Sequence, residues 1–296
     1  MKHKNMNSQA GFTLIELTVV LLILVGLAGL LLPYVSGYLA KTHNSTAVKT
    51  LADLNNTIQR YQTTKWALPS KLETLVDTGG TAIYNKLQNT AMLTALTAGA
   101  AQGFANGALA SAGVTEAYAN NNATTDATFQ STTGAVTAVS QATPIPLAQL
   151  TGTNATDTFF NSLPANLLTT DQIKNQLIYA FGGDGNSYDT ACHNYIVMGI
   201  GSSNSMVGSV MQSVPVHFSG TGANSTDKTY NRYLAVFAVP NGTTTPGTTD
   251  QVTGKDCTAE LGESATFIGT ALIFSGFPAI VGLNGSQQFT NSNLLN

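Results

Sequence analysis

The chain opens on polar residues, turns uniformly apolar from Phe12 to Leu32, and then changes to a mixture of apolar and polar positions. No charged residue occurs from Leu17 through Leu32. At ~1.5 Å rise per residue, about twenty residues cover the ~30 Å hydrocarbon core of a bilayer, so 12–32 is predicted to be a membrane-spanning helix. Past Pro33 the residues Ala47, Leu51, Leu54, Ile58 and Tyr61 recur at alternating steps of four and three, which places them on one helix face. Lys49 and Asp53 form an i,i+4 pair elsewhere on that surface. One helix over 12–64 is therefore expected, apolar all round at its start and packed on a globular domain at its end. Pro33 lacks an amide hydrogen and predicts a bend or local melting of the preceding turn.

The pattern fades after the helix. Between Lys86 and Lys174 there is no lysine or arginine, and the interval is rich in Ala, Thr, Gly, Asn and Ser. Its early part, Thr90 to Ala119, predicts small-residue helix, weakened by up to ~1 kcal/mol at each of Gly99, Gly103, Gly107 and Gly113. From Asn120 to Thr158 a loop with short extended pieces is expected, so 65–175 reads as an expanded, exposed connection. The C-terminal part, 176–296, reads as strands. Leu177–Phe181, Tyr195–Ile200, Val214–Phe218, Tyr233–Val239 and Thr266–Phe274 are enriched in β-branched and aromatic residues and separated by Gly/Asn/Ser/Thr clusters. The fold expected is α+β, a long N-terminal helix packed on a C-terminal antiparallel sheet.

Charge adds direction. The leader, Met1 to Gly11, has Lys2 and Lys4 as its only formal charges, a positive flank that favours keeping it on the cytoplasmic side and placing the bulk of the chain beyond the membrane. Elsewhere charge is scarce: 9% of residues, with a formal net charge of −3. No basic patch argues for nucleic acid, and none is expected as a partner.

Glu16 is the anomaly of the apolar run. An ionised acid costs on the order of 2.5–3.5 kcal/mol at a membrane-helix centre. Glu16 either lies near the helix end and reaches the headgroup layer or is protonated, or it pairs with a positive group from another chain. With its neighbours, Gly11-Phe12-Thr13-Leu14-Ile15-Glu16-Leu17 resembles the processing motif of type IV pilins and of the pseudopilins of type II secretion. The resemblance covers roughly residues 1–65. It implies that 1–11 is a leader cut off after Gly11 by prepilin peptidase, that Phe12 becomes the N-methylated first residue, and that Glu16 pairs with the N-terminal amine of a neighbouring subunit. Pro33 matches the position of a helix-kinking proline in many members. The partners implied are prepilin peptidase, other pilin or pseudopilin subunits and the inner-membrane assembly platform. Physics supports the role of Glu16: in a low-dielectric helix bundle a carboxylate and a terminal ammonium neutralise each other, and a wrong axial offset leaves both unpaired.

Cys192 and Cys257 both fall in the part expected to be exported, where an oxidising compartment permits a disulfide; two separately buried thiols are the alternative. Asp184, Asn186 and Asp189 place oxygen ligands close together, as a calcium site would, but lack EF-hand spacing, and a plain Gly-Asn turn explains them more cheaply. His43, His193 and His217 are scattered and read as polar surface or satisfied core positions. The glycines of Gly199-Ile200-Gly201 lack the Lys-Ser/Thr ending of a phosphate loop, and there is no GxSxG elbow or HExxH.

The reading that follows is a structural protein and not an enzyme: a subunit of a type IV pilus or a secretion pseudopilus, stored in the bacterial cytoplasmic membrane as a single-pass protein and assembled through its helix. Its length favours a minor or specialised subunit. One alternative is an adhesive or receptor-binding module at a filament tip, working through the Thr/Asn-rich interval or the strand loops. Another is an exported domain unrelated to filaments, against which stand the length of the apolar run and the lack of a small-residue cleavage motif after it.

Overall fold

The computed structural model of the chain describes residues 13–77, 94–95, 100–120, 141–146, 161–162, 170–216, 233–273 and 280–281. The longest element is helix α1, Leu14–Lys65, of 52 residues. It runs through Pro33 without interruption, so the local melting expected there is not observed. A membrane-type helix accommodates a proline because the turns on either side keep their own hydrogen bonds. The chain divides into two compact units, residues 1–45 and 46–296.

Within the first unit, every residue from Thr13 to Leu31 is exposed, including Leu14, Leu22 and Leu30. A helix that is apolar all round and covered by nothing is the opposite of a soluble core helix. The window Leu14–Leu31 is long and apolar enough to cross a membrane by length and composition.

The second unit is built around the remainder of α1. Ala47, Leu51, Leu54, Ile58 and Tyr61, the stripe predicted from their spacing, are all buried in its hydrophobic core. The helix stops where Trp66 adopts φ 55 and Pro69 follows three residues on. Strand β1, Leu72–Asp77, starts directly afterwards. The other strands are β2 (Thr94–Ala95), β3 (Glu116–Asn120), β4 (Gln141–Pro146), β5 (Asn161–Ser162), β6 (His193–Gly199), β7 (Leu234–Pro240), β8 (Thr266–Ile273) and β9 (Ile280–Val281). Three further helices are α2 (Ala100–Ser111), α3 (Thr170–Phe181) and the single turn α4 (Cys257–Glu260). Among the described residues the sheet order is β4-β3-β1-β6-β7-β8-β9, with β5 also paired to β6, and β2 to β5.

This α+β sheet is mixed, not purely antiparallel as expected, because β1 pairs β3 in parallel while the other named pairs are antiparallel. The sequence between them explains it. A parallel pair needs a crossover of a dozen residues or more, and α2 lies in that interval, adding Ala105, Ala108 and Leu109 to the core. Of the small-residue helix expected from Thr90 to Ala119, Ala100–Ser111 is α2, ending before Gly113, whereas Thr94–Ala95 is β2 and Glu116–Ala119 belongs to β3, which corrects the expectation at both ends. At Gly113 φ is +98 and an added Cβ would lie 2.4 Å from that of Ala67. Only glycine fits so close an approach at that backbone angle.

Strands β6 and β7 pair without a register shift from His193↔Pro240 to Gly199↔Leu234. Alternation divides their side chains: Ile196, Met198, Ala235, Phe237 and Val239 join the core with α1, while Tyr195, Val197, Leu234 and Val236 are buried on the other face. That second face is where α3 packs. Gly269, opposite Val236, has Phe181 2.6 Å from the place a Cβ would take.

Two expected strands are corrected. Leu177–Phe181 is the last part of α3; the apolar run is too short to show a period, and the buried pair Leu177 and Ala180, three apart, continues a helix begun in the polar residues before it. Over the described part of Val214–Phe218 there is no strand beyond an isolated bridge at Val216, which is exposed. The remainder, with His217, lies outside the described residues, as does most of 120–158 except β4.

Candidate functional site

The start of α1 is a reciprocal cap. Thr13 stands at the N-cap, and Glu16 is three residues on. The Glu16 Oε2 accepts from the Thr13 amide at 2.9 Å and from its hydroxyl at 2.7 Å, while the Glu16 amide donates to Thr13 Oγ1 at 3.4 Å. This is a capping box: it satisfies amides that have no partner inside the helix and places a negative charge at the positive end of the dipole. Glu16 is the only charged residue from Thr13 to Leu31. Among the described residues its exposed carboxylate is held by Thr13, through one of its two oxygens. Gly11 and Phe12 lie outside the described residues, and Pro33 sits within α1.

In the second unit, Cys192 and Cys257 are joined as a disulfide with Cα atoms 5.0 Å apart, both sulfurs buried. The bond ties the residues just before β6 to α4. Around it gathers a polar cluster that sequence reasoning had not assembled. Asp184 is exposed and occupied with its own turn, accepting from the Asn186 amide and the Ser187 hydroxyl at 3.0 Å each. Asp189 is buried and turned elsewhere. Its Oδ1 accepts from the amides of Ala191 and Gln251, and its Oδ2 from the amide of Cys192. His193 Nδ1 lies 3.2 Å from Asp189 Oδ2 and 3.4 Å from Asp250 Oδ2.

The electrostatics follow from burial and donors. Desolvation raises the Asp189 carboxyl, but His193 and the three amides outweigh it and hold the group down to about 2. Burial lowers His193, and the hydrogen bond and charge of Asp189, with the charges of Glu260 and Asp250, push it above its ordinary value. Glu260 is raised, first by desolvation. The disulfide brings the segment around Cys192, with Asp189 and His193, beside the segment around Cys257, with Asp250 and Glu260, but nothing in the spacing marks which of the acids near the cysteines meet.

Residues 6–31 match the family model of the prokaryotic N-terminal methylation motif. That motif is the signature of the type IV pilin and pseudopilin family, which is structural and not enzymatic. It implies processing by prepilin peptidase and assembly with other pilin subunits, and with the apolar helix it supports membrane anchoring. Neither the curated proteins nor the solved structures provide a match to the chain.

Proposed function

We propose that this chain is the precursor of a structural filament subunit, of a type IV pilus or a type II secretion pseudopilus, cut after Gly11 and assembled through α1. The observation that carries the reading is the methylation motif running directly into an apolar helix that nothing covers, with Glu16 as its one charge. In the precursor the Phe12 nitrogen is an amide. Cutting after Gly11 converts it to an amine that stays basic after methylation and is positively charged. A neighbouring subunit's amine then offers Glu16 a full charge in place of the neutral donors of Thr13, and in a dry helix bundle that exchange is favourable. The capping box gives the carboxylate donors while the subunit waits in the membrane. The assembly platform and the exported position of the second unit belong to the same reading.

Replacing Gly11 with a bulky residue is expected to leave the leader attached. Glu16→Ala is expected to permit cutting but to keep the protein out of the surface-sheared filament fraction. Intact-mass and N-terminal peptide mass spectrometry on membrane and sheared fractions read both. A mature chain that begins anywhere but at an N-methylated Phe12, or filament incorporation of Glu16→Ala at the parent level, would overturn the proposal.

A further inference from the structure

Among the described residues, the cluster beside the disulfide has more negative charge than its partners balance. Asp189 and Asp250 are 3% exposed and Glu260 is 1% exposed, against one imidazole among the described residues, His193, while Lys174 donates to the side chain of Gln251 and not to a carboxylate. Lys255 is turned to Glu263 at 3.1 Å on the surface. Burying carboxylates without matching positive charge is costly. A separate observation points the same way: Glu260 Oε2 is buried with no hydrogen-bond partner. Its Oε1 accepts from the Thr253 hydroxyl, and the Thr253 amide donates to Asp250 Oδ1, which ties Glu260 to the cluster. The charge of Glu260 also acts on His193.

We propose that Asp189, His193 and Asp250 form the binding site of a divalent transition-metal ion of the zinc class, with Glu260 supplying the further carboxylate. One ligand atom from each of the three residues already lies within 4.8 Å of the others. In a tetrahedral site with bonds of about 2.0–2.1 Å, neighbouring ligand atoms are about 3.3–3.4 Å apart. His193 Nδ1 stands at 3.2 and 3.4 Å from its two carboxylate oxygens, which matches that spacing for the histidine and each acid. The ion takes the place of a proton on Nδ1. An imidazole ligand selects zinc-like ions over calcium and magnesium, which prefer all-oxygen shells. The amides of Ala191, Cys192 and Gln251 on Asp189, and of Val252 and Thr253 on Asp250, fix the carboxylates as outer-shell donors do. Of the three residues weighed as a calcium site, for which a plain turn is the preferred reading, Asp189 belongs to this site, while Asp184 and Asn186 take no part in it. The proposal stands independently of the filament reading.

The test uses the full chain in detergent without an affinity tag, stripped with a chelator and dialysed against Zn²⁺, with bound metal counted by mass spectrometry. One zinc per chain is expected, and an affinity at least about tenfold weaker in His193→Gln and Asp250→Asn. Glu260→Gln, which keeps the shape and removes the charge, is expected to weaken binding too. Co²⁺ should give the parent the intense visible absorption of a tetrahedral site, a readout that requires no variant to fold. Failure of the parent to take up stoichiometric zinc, equal uptake by His193→Gln and Asp250→Asn in folded form, preference for Ca²⁺ over Zn²⁺, or absence of the cobalt bands would each overturn the proposal.

Discussion

Asp256 shows how much one side chain does at an element's end. It caps α4, accepting from the Thr258 amide and hydroxyl, and reaches back to the Gly247 amide at 2.7 Å. Those bonds, that of Gly247 first, hold its carboxyl below the ordinary value. A lowered carboxyl stabilises the fold fully above its unfolded value and loses that contribution as pH falls through the folded one. Asp256→Ala should therefore melt below the parent at pH 7, with the gap closing as pH drops below about 4; a gap independent of pH would reject the charged-cap account. Single residues were legible here to very different degrees. Glu16 was conspicuous because a charge in an apolar run is rare. His193 was not, because its meaning depends on Asp250, which lies far along the chain and carries no mark of the partnership.

Among elements, α1 was the most legible, since a period of 3.6 sustained over several turns leaves little choice. Strands β6, β7 and β8 were found by their β-branched and aromatic runs. Misreading α3 as a strand has a plain cause: five apolar residues fit either period, and only tertiary packing on β8 decides. The parallel β1–β3 pair was invisible because it depends on α2 crossing over, and small-residue helices give weak patterns. What locks α1 to the sheet is equally local to three dimensions. The Thr270 hydroxyl, buried in β8, donates to the Leu51 carbonyl at 2.8 Å. Thr270→Val preserves the volume and deletes that donor, and is expected to cost about 1 kcal/mol. A lower denaturation midpoint at unchanged slope would show it; an unaltered midpoint would mean the packing alone holds α1.

At the scale of the second unit, the Cys192–Cys257 bond closes a sequence separation of 65 residues, over which loop-closure entropy gives about 4 kcal/mol. Replacing both cysteines with alanine should lower unfolding free energy by about that amount, measured by chemical denaturation in detergent, and should loosen 184–192 against 250–260 first, seen as faster amide exchange there. Loss spread evenly over the sheet would contradict that placement. The sequence revealed the architecture in outline, because helix length and strand composition are local properties. Sheet order and the polar cluster arise from contacts between distant segments.

One consequence lies in mechanics. The exposed start of α1 and the stripe Leu51, Leu54, Ile58 and Tyr61 belong to one unbroken helix. Within the second unit, a tensile load on α1 is therefore carried by the helix backbone directly into the core, where the packed stripe and the Thr270 hydroxyl on the Leu51 carbonyl oppose it. The rupture force of the unit is thus set by the same side chains that fold it.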